Sequence, residues 1–166
     1  MSSHSSPFSL PATTHSYLAR AAASLSEATA AVDVPTRYAC AHVAALRAAA
    51  ALLAARARPA PARRRPQKNA WVLLAEVAPE LAEWAIFFAA GAAKRAAAEA
   101  GSTRAVTERE ADDLVRDADR FLAVIEQSLG LVPHAPTLPY LVAFPGGQPA
   151  LSSGQSVTQL HARRVG

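Results

Sequence analysis

Apolar residues recur at helical spacing in four stretches of this chain, and polar or proline-rich stretches separate them. In the first, Tyr17, Leu18, Ala21, Leu25, Ala28 and Val32 predict a helix over about 14–32, capped by Thr13 or Thr14. Asp33-Val34-Pro35 ends it, because a residue before proline is pushed out of the α region. The second helix starts at Pro35 or Thr36, where the N–H that proline lacks would be unpaired anyway, and runs to near Ala57. Its stripe is Tyr38, His42, Ala45, Leu46, Ala49, Leu52 and Leu53. Ala41, Ala44, Ala48 and Ala55 form a flank of small residues where another helix can come close.

The third stretch begins near Asn69 or Ala70 and carries Trp71, Leu74, Ala75 and Ala78. Pro79 kinks it, and Glu80 then stands in a first turn, where the helix dipole favours an acid. Leu81, Trp84, Ala85, Phe88 and Ala92 continue the stripe to a glycine stop at Gly101. The last helix has the clearest start, the capping-box pattern Thr107-Glu108-Arg109-Glu110. Leu114, Ala118, Phe121, Leu122, Ile125 and Leu129 line its inner side, and Gly130 ends it. Asp112, Asp113, Asp117 and Asp119 read as its solvated face. The pattern predicts an all-α, up-and-down bundle of four main helices, the third kinked, over residues 14–131. Residues 1–13 are expected to be a disordered N-terminal tail, and the Pro/Gly-rich residues 132–166 a largely disordered C-terminal one. Within the latter, the apolar segment Leu138 to Phe144 has the composition to dock on the bundle.

Composition sharpens this picture. Hydrophobic residues make up 51% of the chain, but alanine supplies much of that and buries little area per residue. A few large side chains must therefore anchor the core: Trp71, Trp84, Phe87, Phe88, Phe121, Leu122 and Ile125. The single cysteine, Cys40, allows no intramolecular disulfide, fits a reducing compartment, and reads as a small buried hydrophobe. The first residues lack the charged and apolar regions of a secretory signal. No apolar run approaches the roughly 20 residues that span a bilayer, the longest candidate being Leu81 to Ala93. A cytoplasmic protein without a membrane partner is expected. The wealth of Ala, Arg and Pro, whose codons are GC-rich, suggests a high-GC bacterial genome.

The net charge is +4, and six cations, Arg56, Arg58, Arg63, Arg64, Arg65 and Lys68, lie in or beside the proline-broken linker after the second helix. No acid is interleaved with them. Such a stretch can meet nucleic-acid phosphate weakly and salt-dependently, although no aromatic is placed to stack on bases. It serves equally as a solubilising linker. The candidate catalytic pair is Arg37 and His42, an Arg-x4-His pattern. Arginine can hold a phosphate bidentately and histidine can move a proton near neutral pH. Together they suit attack of an RNA 2′-hydroxyl on its own phosphodiester. About one such pattern is expected by chance in this composition. Five helix positions also turn through about 140°, so the pair converges only in an irregular first turn or across two protomers. No metal-ligand spacing and no glycine-rich phosphate loop is present, so neither a metal nor a cofactor is expected.

The segments RYACAHVAALRAAAALLAARARP, AWVLLAEVAPELAEWAIFFAAGAAKRAAAEAG and TEREADDLVRDADRFLAVIEQSLG resemble the HEPN superfamily. More narrowly, they look like a small actinobacterial HEPN subfamily, over about Thr14 to Leu131. The resemblance implies a helical bundle, commonly dimeric. For many members it implies a metal-independent ribonuclease in toxin, antiviral or RNA-processing systems. Their Arg-x4–6-His motif is assembled from two protomers, which would make Arg37 and His42 the site. Other members have lost catalysis and act as binding or interaction modules. Here Tyr38 follows Arg37 where family nucleases often carry a polar residue, and the pair lies in the second helix, earlier than the family's motif usually falls. Three readings follow: a non-catalytic HEPN module in a nucleic-acid-linked process, an endoribonuclease using Arg37 and His42, or a structural helical adaptor.

Overall fold

The computed structural model describes residues 9–56 and 68–137. Six α-helices occur there: α1 (Ala12–Ala30), α2 (Val34–Arg56), α3 (Ala70–Val77), α4 (Ala82–Ala90), α5 (Ala92–Glu99) and α6 (Glu108–Ser128). A 3-10 turn, Pro79–Leu81, joins α3 to α4. Among the described residues there is no strand. The all-α bundle is the expected one, with α3 to α5 forming the broken third member. Arg58, Arg63, Arg64, Arg65 and the 138–144 segment lie outside the described residues, as does most of the two expected tails.

Helix α2 is the centre of the bundle, packing on α1, α3, α5 and α6. Its alanines explain how one helix can meet four neighbours. Ala41, Ala44, Ala45, Ala48, Ala49 and Ala51 are all buried, and side chains this small let backbones approach closely. Helix α1 answers with Ala21, Ser24, Leu25 and Ala28. The same alanines revise one expectation: α2 is the apolar run long enough to cross a bilayer, with a mean hydropathy of 1.5 over its best window. More than half of that window is buried inside the bundle. Much of its apolar surface thus meets other helices.

The ends of the helices follow local chemistry, with small shifts. Helix α1 starts at Ala12, two residues before the expected boundary. Thr14 is not its cap. It is fully buried, and its hydroxyl donates to the Ala51 carbonyl of α2 at 3.2 Å. The helix stops at Ala30, which leaves Val32 exposed, because the Asp33 carboxylate accepts the Thr36 N–H at 3.0 Å and opens α2. Asn69 caps α3 through Trp71 N–H. The Thr107–Glu110 capping box forms in both directions. Gly101 and Gly130 take left-handed backbones (φ +86 and +75) past the ends of α5 and α6, as glycine stops do.

The large core side chains gather around Phe88, which is fully buried. Trp71 and Trp84 stack on it with centroids at 5.2 and 5.9 Å, and Phe121 lies 5.0 Å away. Phe87, expected as an anchor, is 46% exposed. Successive helix residues point about 100° apart, so Phe88 takes the inward direction and turns its neighbour out. The acidic face of α6 also needs correction: Asp119 is buried, not solvated. The cause is beyond α6, where residues 131–137 fold back and place His134 and Thr137 on the Asp119 carboxylate. The first part of the expected C-terminal tail is therefore held against the bundle.

Candidate functional site

Arg37 stands in the first turn of α2, and its side chain reaches back to the end of α1. Nε and Nη2 donate to the Ala31 carbonyl at 3.3 and 3.2 Å, and Nη2 also donates to the Val32 carbonyl at 3.4 Å. Nη1 donates to Asp112 of α6 at 2.6 Å, with Glu108 at 4.0 Å. The guanidinium thus closes the carbonyl end of one helix and ties three helices together, at 18% side-chain exposure. Helix ends leave carbonyls without internal partners, and a cation is the natural group to cover them.

His42 lies one turn further on and is 1% exposed. Its Nε2 is 2.8 Å from the Phe88 carbonyl, an acceptor, so Nε2 carries the proton and donates. Nδ1 is then the bare lone pair, buried and without a hydrogen-bond partner. The ring meets Trp71 and Phe88 edge-on at 5.8 and 6.1 Å. Burial pushes its pKa below the ordinary value of 6.5, the Phe88 carbonyl opposing and nearby Arg95 adding to the shift. A neutral imidazole results. Gly91 explains the tight seat. A Cβ there would stand 2.9 Å from the Tyr38 hydroxyl and 3.3 Å from His42 Cδ2.

A cavity of about 460 Å³ opens beside Tyr38 and His42, bordered also by Phe87, Lys94, Glu110 and Asp117. His42 borders a second cavity of about 470 Å³ with Lys68, Trp71 and Arg95. Arg37 borders a different one, about 280 Å³, with Thr29, Asp112 and Arg116. Within one protomer, then, Arg37 and His42 face different neighbours, in line with the divergence that their spacing predicts. Of the basic residues, Arg56 pairs with Glu80 at 2.7 Å, and Lys68 with Glu76 at 2.6 Å. The acids missing from the linker are supplied by α3 and the turn after it.

The model of the HEPN_SAV_6107-like HEPN domain matches residues 28–126, more than half of the chain. The chain belongs to the HEPN superfamily. No curated protein and no solved structure matches it. The matched part of the HEPN domain holds Arg37, His42, the Phe88 cluster and all of α2 to α5. It stops short of His134.

Other candidate groups of this HEPN domain are quiet. Cys40 is half-buried, and burial, then the Glu27 carboxylate 4.0 Å from Sγ, raises its thiol pKa. A reactive thiolate needs the opposite surroundings. Among the described residues no group of three or more His, Cys, Asp or Glu is placed to hold a metal ion. Two constellations escaped the sequence reading. Lys94 and Glu110 form a close pair at the rim of the Tyr38 cavity, and Lys94, with the Thr107 cap, holds the Glu110 carboxyl down at about 2. Asp119, His134 and Glu126 form the other. The one hint in the sequence was the place of Asp119, four residues after Val115 and three before Leu122, at the edge of the apolar stripe.

Proposed function

We propose that this HEPN protein is a non-catalytic helical module acting, as a cytoplasmic homodimer, in a process linked to nucleic acid. The observation that carries the reading is the engagement of the two motif residues. Four of the five N–H groups of Arg37 face acceptors of its own protomer, and His42 is sealed in the aromatic core with Nε2 on a carbonyl. Groups committed in this way hold helices together and are poorly placed to grip a phosphate or meet a 2′-hydroxyl. The basic linker supports the nucleic-acid part, as a weak and salt-sensitive contact with phosphate.

A metal-independent endoribonuclease is the second reading. It is favoured by the unpartnered Nδ1 of His42 and by the cavities beside that ring. It requires a second protomer to bring Arg37 to the site. A structural adaptor is the third, distinguished by lacking nucleic-acid affinity.

The test uses the full chain with structured and unstructured RNA in EDTA, read on gels, together with anisotropy titrations across salt. We expect intact RNA and binding that weakens steeply between about 50 and 200 mM salt. Neutralising Arg63, Arg64 and Arg65 should flatten that slope. Arg37→Ala should cost about 1–3 kcal/mol of stability, the worth of a charged, partly buried hydrogen-bonding group. Cleavage that disappears in His42→Gln, which can still donate to the Phe88 carbonyl, would replace this reading with the nuclease. No binding even at low salt would leave the adaptor.

A further inference from the structure

After Gly130 the chain turns back and runs antiparallel along α6. Leu131 N–H donates to the Glu126 carbonyl at 2.9 Å, and His134 N–H donates to Glu126 Oε2 at 2.8 Å. The His134 ring then spans two carboxylates. Nδ1 is 2.8 Å from the same Glu126 oxygen, and Nε2 is 2.9 Å from Asp119 Oδ1. Asp119 and Glu126 are seven residues apart on α6, so they lie nearly one above the other, two turns apart. Thr137 completes the arrangement, its hydroxyl donating to Asp119 Oδ1 at 2.8 Å. With the Thr137 N–H at 3.4 Å from Asp119 Oδ1, five groups converge on two carboxylate oxygens, and Asp119 is almost wholly buried beneath them.

This geometry constrains the proton count. A neutral imidazole has one N–H and one lone pair. Either tautomer would aim the lone pair at a carboxylate oxygen less than 3 Å away. With both carboxyls ionised, only the imidazolium satisfies both contacts. We infer that His134 is a protonation-dependent latch that fastens the start of the C-terminal extension to α6 and releases it when the ring loses its proton. The groups acting on the ring are these: burial opposes the charge, and the Asp119 and Glu126 carboxylates outweigh it, raising the pKa above 6.5. Helix α1 packs on α6 too, and its described ionisable groups are His15, Tyr17, Arg20 and Glu27. None of these is among the influences on the ring.

The sign follows from linkage. A group whose pKa is higher in the fastened state stabilises that state below the free value, and the contribution is lost as pH rises through the raised one. The latch is therefore closed while the ring is protonated and the two carboxylates are ionised, and it opens as pH rises through the raised pKa of the ring. Its position gives the opening a consequence. Asp119 shares its edge of α6 with Asp112, again seven residues away, which holds Arg37.

The experiment is a histidine-ring NMR titration of the full-length protein, with amide hydrogen exchange of residues 131–137 over the same pH range, corrected for intrinsic exchange rates. His134 is expected to titrate above 6.5, the ordinary histidine value. Protection of 131–137 should be lost in step with its deprotonation while α6 stays protected. Glu126→Gln, at the end of the contact and on the surface side, should lower the titration point and open the segment at lower pH. A His134 that titrates at or below 6.5 overturns the proposal. So does protection of 131–137 that does not change as the ring deprotonates. Both readouts come from the unmodified chain, so a variant that folds badly does not blunt the test.

Discussion

His42 and His134 are the same side chain in opposite circumstances. Each has a ring nitrogen less than 3 Å from an oxygen acceptor. The difference lies at the other nitrogen. In His42 it meets nothing polar, and the ring sits among Trp71 and Phe88, so burial dominates and the neutral form is kept. In His134 it meets a second carboxylate, which favours the charged form. Burial works against the charge in both. The number of anionic acceptors decides the outcome, and with it the role: one ring is a packing element with a polar anchor, the other a charged clasp on the outside of α6.

The strongest way to break this comparison is to open the core around His42. Phe88→Ala removes the ring on which both tryptophans stack and should cost about 3–5 kcal/mol, measured from urea unfolding. If the variant folds, the pKa of His42 should climb back toward the ordinary value as water reaches the ring. A second way is to truncate each histidine in turn. His42→Ala leaves a cavity and an unpaired Phe88 carbonyl, for an expected loss of about 2–4 kcal/mol. His134→Ala loses a partly solvated ion pair and should cost under about 1 kcal/mol at neutral pH. Equal losses would show that the two sites are not energetically distinct.

The smallest effect is the pH profile, where the two rings act with opposite signs. Because the His42 pKa is depressed in the fold, the unfolded chain binds the extra proton, and stability falls as pH drops below about 6.5. Because the His134 pKa is raised, its contribution is whole below about 6.5 and fades as pH rises through the folded value. Removing His134 by substitution with Gln should therefore leave a profile that rises from acid into the neutral range and no longer sags on the alkaline side. Thermal unfolding measured between about pH 5 and 9 checks it.

Much of the fold was legible because it rests on local rules. The stripe of α6, its Thr107–Glu110 box, the Pro79 break and the glycine stops at Gly101 and Gly130 each follow from a few neighbouring residues, and each appears where the pattern placed it. Phe87 was legible only in part: the stripe of Leu81, Trp84, Ala85 and Phe88 leaves it out, but its apolar side chain read as a core anchor, and in the structure it is Phe88 that stacks on Trp84 and meets Phe121. The partners of Arg37 were hidden for another reason. Asp112 is 75 residues away, and the Ala31 carbonyl is backbone, which no side-chain pattern reports.

By itself, then, the sequence determined the main helices, several of their ends and the small-residue seam of α2, because spacing, capping and proline act within a turn or two, and it carried the likeness that places the chain in the HEPN superfamily. Only the tertiary structure decided what the reactive side chains do. Charge state and access depend on which groups arrive from elsewhere in the chain: a carbonyl from α4 for His42, a carboxylate from α6 for Arg37, and two carboxylates two turns apart for His134. Arg37 and His42, a motif five positions apart on one helix, became a clamp and a core residue because their partners lie in different parts of the bundle.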